Sequence, residues 1–141
     1  MTRTPLVLVV EDNEVNQLLT ASVLGREGFE VDIAGTSEQA LEHLRDRLPD
    51  LILMDIQLPG MDGLALTRRL KADPVTAHIV VVALTAHAMT GDREQSLAAG
   101  CAGYISKPID TRAFGSQVRA FLRPQVPFAG EPRTDATLSG T

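Results

Sequence analysis

Three short apolar runs constrain this chain more than any other feature. Leu6–Val10, Leu51–Met54 and Ile79–Leu84 contain no polar residue. Each is too short for an ordinary helix and too apolar for a strand with one wet face. Runs of this kind belong to strands buried on both faces, as in a parallel sheet with helices packed on either side. Each run also stops on a polar residue: Glu11-Asp12-Asn13 after the first, Asp55 after the second, Thr85 after the third. Open α/β sheets place their ligands at the carboxyl ends of the strands. A lone acid there has two readings, a cap on the next turn or a chemical group, and the other strand ends favour chemistry.

The segments between the runs carry helical signals. A first helix is expected with Val15, Leu18, Leu19, Ser22 and Val23 on its apolar face, stopped by Gly28. Phe29–Ala34 alternates apolar and polar residues and suits a strand at a sheet edge. Thr36–Gln39 starts a second helix with a stripe of Ala40, Leu41, Leu44 and Leu48, ended by Pro49. Pro59-Gly60 forces a turn after Asp55, and Gly63–Ala72 forms a third helix through Leu64, Leu66 and Leu70. A fourth helix with a weak apolar face runs from about Met89 to Ala99 and stops at Gly100. Gly103–Ser106 is a short strand ending on Lys107-Pro108, and Asp110 caps a last helix through Phe114, Val118, Phe121 and Leu122. Residues 124–141 have no periodicity and read as a flexible tail after a domain spanning 5–123. The expected fold is α/β, five βα units around a parallel sheet. By analogy with flavodoxin-like folds the strand order is 2-1-3-4-5.

Composition narrows the function. A chain of 141 residues with 44% hydrophobic and 22% charged residues is one globular domain with a real core. Its net charge of -5 argues against a nucleic-acid surface, which needs clustered Lys and Arg. Cys101 is alone, which excludes an internal disulfide and a Cys-rich zinc site and suits a reducing compartment. No signal peptide is recognisable, and no stretch approaches the roughly 20 apolar residues of a membrane span. The expected location is cytoplasmic, with no membrane and no nucleic-acid partner.

The strand ends deliver a matched set of groups: Glu11-Asp12, Asp55, Thr85 and Lys107. Clustered carboxylates raise one another's pKa unless a cation intervenes. An all-oxygen site with few protein ligands suits Mg²⁺. Such an ion can bridge Asp55 to a phosphoryl oxygen, and an Asp carboxylate is an established nucleophile toward phosphorus. A Thr hydroxyl and a Lys ammonium can hold the other phosphoryl oxygens.

These residues, with Met54-Asp55, Leu58–Gly63, Leu84-Thr85-Ala86 and Ser106-Lys107-Pro108, resemble a response-regulator receiver domain of two-component signalling. Within receivers, Asn13–Asn16, Met54–Gln57 and Leu84–Met89 look most like single-domain regulators of the DivK type and the receivers of hybrid histidine kinases. The resemblance implies that Asp55 is the phosphoacceptor and that Glu11 and Asp12 are the acidic metal pair, with Asp12 as direct ligand. It also implies that Gln57 lends a backbone carbonyl to the metal. Glu11 departs from the commoner Asp at its position. Thr85 and Tyr104 would be the switch pair, Lys107 the phosphate-pairing lysine and Lys107–Pro108 a cis bond. The implied partners are a histidine kinase or histidine phosphotransfer protein, and a downstream protein on the face of the fourth helix, fifth strand and fifth helix. The initial Met and the short tail suggest a free-standing receiver that switches partner binding and is not an enzyme acting on an external substrate.

Other polar residues have plainer readings. His87 either gates water at the phosphoryl group or faces solvent. His43 and His78 lack partners at metal spacing and read as surface residues. Cys101 reads as packing, as do Met61 and Met89. A phosphatase with an Asp nucleophile would carry a second acid two residues on, where Gln57 stands. A nucleotide or flavin carrier would need glycines in residues 11–16, which have none.

Overall fold

A computed structural model describes residues 4–56, 63–85 and 93–122. The elements alternate along the chain: β1 (Leu6–Val10), α1 (Glu14–Arg26), β2 (Glu30–Ala34), α2 (Ser37–Asp46), β3 (Leu51–Asp55), α3 (Gly63–Ala72), β4 (Val80–Thr85), α4 (Arg93–Ala99), β5 (Gly103–Ser106) and α5 (Phe114–Leu122). All strand pairs are parallel, in the order β2-β1-β3-β4-β5. The expected fold class and strand order are therefore observed. The three apolar runs form the middle of the sheet, and the alternating β2 and short β5 are its edges.

The core lies in two layers, one on each face of the sheet. Leu8, Val10, Ile52, Met54, Val81 and Ala83 meet Ala40, Leu44, Leu66 and Leu70 on one face. Val7, Val9, Leu51, Leu53, Val82 and Leu84 meet Val23, Leu24, Phe114 and Val118 on the other. Burial from both sides explains why these strands tolerate no polar residue until their ends. Positive-φ glycines close two helices, Gly28 (φ 92) after α1 and Gly100 (φ 111) after α4, a backbone state that side chains rarely adopt.

Register fixes the heights of the strand ends. Val10 pairs with Ala34 and with Met54, Asp55 with Leu84, and Thr85 with Ser106. The ends are thereby level, and Glu11, Asp55, Thr85 and Lys107 emerge on one edge of the sheet. At the opposite edge Asp50 joins β1 to β3 twice, donating its N–H to the Leu6 carbonyl and accepting the Leu6 N–H on its carboxylate, both at 2.8 Å.

The helices differ from expectation at several points. In α1 the residues facing the core are Thr20, Val23 and Leu24. Val15 (72%), Leu18 (68%) and Leu19 (39%) are exposed instead, so the face assigned from sequence is turned toward solvent except at Val23. In α4, Ser96 and Ala99 point inward while Leu97 is exposed. Its core contribution among the described residues is thus no larger than an alanine, and the Ser96 hydroxyl finds no hydrogen-bond partner there. The expected start of this helix near Met89 lies outside the described residues, as do Pro59-Gly60, Met61, His87 and the tail from 124. Leu48 falls beyond the end of α2 and is exposed. Asp110 opens a turn, accepting the Arg112 N–H at 3.0 Å, and α5 proper begins at Phe114.

The other lysine, Lys71, is structural. Its ammonium donates to the carbonyls of Ala77 (3.0 Å) and Ile79 (2.5 Å), tying the end of α3 to the entry of β4. Cys101 is buried in the core, as its packing reading requires.

Candidate functional site

Asp55 ends β3 and is 4% exposed. The Lys107 ammonium, just past β5, lies 3.0 Å from Asp55 Oδ2 and 3.1 Å from Glu11 Oε1. One cation therefore bridges the carboxylates that follow β1 and end β3. Burial pulls the Lys107 pKa down, but the bonds to Asp55 and Glu11 outweigh it and hold it above the ordinary lysine value. Glu11 is pushed up, first by burial and then by the neighbouring Asp55 carboxylate. The Lys107–Pro108 peptide bond is cis.

Glu11 is held at four points. Its N–H donates to the Ala34 carbonyl at 2.9 Å, and its own carbonyl accepts from the Gln17 side-chain amide at 2.6 Å. Oε2 accepts the Asn13 N–H at 3.2 Å, while Oε1 meets Lys107. Asn13 also caps α1 by accepting the Asn16 N–H at 3.0 Å. The acidic turn is thus anchored by the helix it leads into. Gln17 carried no signal in the sequence, because a lone glutamine on a helix has no pattern to mark it.

Oxygens of Glu11, Asp12 and Asp55 lie within 4.8 Å of one another. Glu11 and Asp55 are buried, whereas Asp12 faces solvent. The ammonium meets two of the three carboxylates, and the donor set is hard oxygen with an open side at Asp12 for water. That combination fits a small divalent cation such as Mg²⁺. Gln57 lies outside the described residues.

Gly63, the first residue of α3, packs against the end of β3. A Cβ there would overlap the Asp55 carbonyl oxygen and stand 2.8 Å from the Ile56 Cα. The lack of a side chain lets α3 start against the backbone of the acidic strand end. Thr85 ends β4 and is buried. Tyr104 pairs in register with Ala83, is half-buried and packs on the same core layer as Ala83. Side chains two apart on a strand share a face, so Thr85 and Tyr104 lie on one side of the sheet. A groove of about 260 Å³ beside the cleft is lined by Asn16, Leu19 and Thr20 of α1 and by Lys107, Pro108 and Ile109.

A doubly wound sheet that gathers an acidic cluster, a hydroxyl and a lysine at its carboxyl edge defines a class, and comparison with known proteins agrees. Residues 7–119 match the response regulator receiver domain model, so the chain belongs to that family. It is similar to the polar-differentiation response regulator DivK of Brucella ovis, 44% identical over 119 residues, covering 84% of this chain and 97% of that protein. Among solved structures it resembles the receiver domain of a Pseudomonas aeruginosa sensor histidine kinase, crystallised with a magnesium ion coordinated in its active site cleft. That match has 33% identity and a TM-score of 0.78, and covers 85% of this chain and 98% of the other. The chemotaxis protein CheY4 of Vibrio cholerae shares the fold at 20% identity and TM-score 0.80, covering 84% of this chain and 99% of its own. The family is one of signalling domains. No helix among the described residues is long and apolar enough to cross a membrane.

Proposed function

We propose that this chain is a phosphoacceptor switch: Asp55 takes a phosphoryl group from a phosphohistidine on a histidine kinase or phosphotransfer protein, and the acyl phosphate changes partner binding. The supporting observation is the Lys107 ammonium bridging Asp55 and Glu11 at level strand ends. A carboxylate oxygen of Asp55 attacks phosphorus, a P–O bond forms, and the P–N bond breaks with its electron pair going to the imidazole. The donor ring is protonated at its other nitrogen, so the imidazole leaves neutral and no proton need be taken from the protein. Glu11, Asp12, Asp55 and the Gln57 backbone carbonyl would hold Mg²⁺, which supplies charge neutralisation on the phosphoryl oxygens. Lys107 moves with one phosphoryl oxygen, and the Thr85 hydroxyl donates to another.

The donor side of the reaction has a surface to use. Val15, Leu18 and Leu19 form an exposed apolar strip on α1, and the groove at Leu19 leads to Lys107 and Pro108. An apolar strip leading to the lysine that meets Asp55 suits docking of the phosphodonor. On the output side, Thr85 and Tyr104 share a face of the sheet, and the downstream partner is assigned to α4, β5 and α5. The reading places the protein in the cytoplasm, with turnover limited to its own phosphorylation and dephosphorylation.

The test is labelling from a phosphohistidine donor with and without Mg²⁺. A stoichiometric, metal-dependent, acid-stable and base-labile label is expected, absent in Asp55→Asn. Stoichiometric labelling of Asp55→Asn, or sustained turnover of an external phosphate ester, would overturn the proposal.

A further inference from the structure

We infer that Gln17 is a positioning residue for the acidic cleft, holding the Glu11–Asp12 turn in the geometry that binds the divalent cation. The inference rests on the phosphoacceptor reading and deepens it. In a parallel ladder, the bond after Glu11 N–H to Ala34 would run from the Thr36 N–H to the Glu11 carbonyl. Among the described residues that bond is not made. The Gln17 amide stands in its place, 2.6 Å from the Glu11 oxygen. Thr36 instead caps α2, its hydroxyl accepting the Gln39 N–H at 3.1 Å, and Gly35 donates its N–H to Gln39 Oε1 at 2.7 Å.

The strands β1 and β2 therefore part after Glu11, and one glutamine from each following helix takes up a backbone group near the split. The two glutamines have different consequences. Gln39 serves Gly35, which belongs to the edge strand's exit and carries no ligand. Gln17 serves the residue whose carboxylate meets Lys107 and whose successor is Asp12. With N–H and carbonyl both fixed, the Glu11 peptide planes have little freedom, and the directions of both acids follow. Gln17 bonds to none of the three carboxylates, so it acts on the cation through Glu11. Partners of this outer kind commonly change metal affinity by about 10–100-fold when removed.

The test is Mg²⁺ titration by calorimetry on the full chain, with thermal melting measured alongside. Gln17→Met keeps the length of the side chain and deletes the donor; Gln17→Leu is a second variant with the same loss. Both are expected to weaken Mg²⁺ binding about 10-fold. Gln39→Met removes the matching bond on the edge strand and is expected to bind Mg²⁺ as the wild type does, whatever its melting temperature. Wild-type affinity in both Gln17 variants overturns the inference alone. Equal loss in Gln39→Met also overturns it, because general loosening then explains the effect. A wild-type chain that binds no Mg²⁺ overturns the phosphoacceptor reading and this inference together.

Discussion

The Lys107 ammonium stands 3.0 Å from Asp55 Oδ2, inside the cleft that a divalent cation would enter. It also reaches Glu11 at 3.1 Å, so the lysine neutralises the same carboxylates that the metal would. Two cations sharing one set of acids oppose each other, at about 8 kcal/mol for a divalent ion 4 Å from an ammonium at an effective dielectric of about 20, before the shared carboxylates offset it. Lys107→Met is therefore expected to bind Mg²⁺ about 10-fold more tightly, a modest share of that repulsion. The same variant should lose roughly 3 kcal/mol of stability without metal, because two buried carboxylates lose the ammonium between them. Calorimetric titration and urea unfolding with and without Mg²⁺ check both halves. Weaker metal binding in the variant would show that the lysine assists the cation.

Thr85→Ala tests whether chemistry and signalling separate as proposed. Asp55 and Lys107 remain, so phosphoryl labelling should persist, while the proposed link from the phosphoryl group to Tyr104 is removed. Partner affinity with and without a phosphoryl mimic is the measurement. Moving a population from 1:99 to 99:1 needs about 5.5 kcal/mol of differential interaction, and the variant should lose most of its affinity gain. An undiminished gain would exclude Thr85 from the switch.

Gly63→Ala tests the close approach of α3 to the Asp55 backbone. The added methyl meets backbone at Asp55 and Ile56, which cannot swing aside as a side chain could. A stability loss of about 1–3 kcal/mol is expected from such overpacking, together with weaker Mg²⁺ binding as Asp55 shifts. A melting temperature and metal affinity equal to wild type would mean that α3 can retreat without cost.

Ser96→Ala should stabilise the protein. The Ser96 hydroxyl is fully buried and makes no hydrogen bond among the described residues. Deleting it removes a desolvation cost of about 1–3 kcal/mol and places a better helix former in α4. The urea midpoint is expected to rise with an unchanged slope. A fall would reveal a partner for the hydroxyl.

The sequence showed the sheet more clearly than the helix surfaces. Strands buried on both faces leave unbroken apolar runs, so Leu6–Val10, Leu51–Met54 and Ile79–Leu84 were legible, as were the polar residues where burial stops. In α1 apolar residues occupy two adjacent stripes, Val15-Leu18-Leu19 and Val23-Leu24. Periodicity then identifies a helix without choosing which stripe faces inward. The core took the stripe that includes Thr20, a polar residue that pattern reasoning passes over. Gln17 and Ser96 were invisible for a related reason. Each matters through one atom meeting one backbone group, or meeting none, and no spacing along the chain encodes that. The bridging of Glu11 and Asp55 by a single lysine likewise needed strand register, which brings residues 11, 55 and 107 level.

The small inward face of α4 has a thermodynamic consequence. Heat capacity and denaturant sensitivity both follow the surface uncovered on opening, and apolar surface dominates the first. Between Glu94 and Ala99 the buried positions are Ser96 and Ala99. Lifting this helix from its neighbours would uncover little hydrocarbon. A scanning calorimeter or a urea titration, which weigh total area, would then register a single transition of the whole domain. Amide exchange in residues 94–99 would report the earlier opening that those measurements pass over.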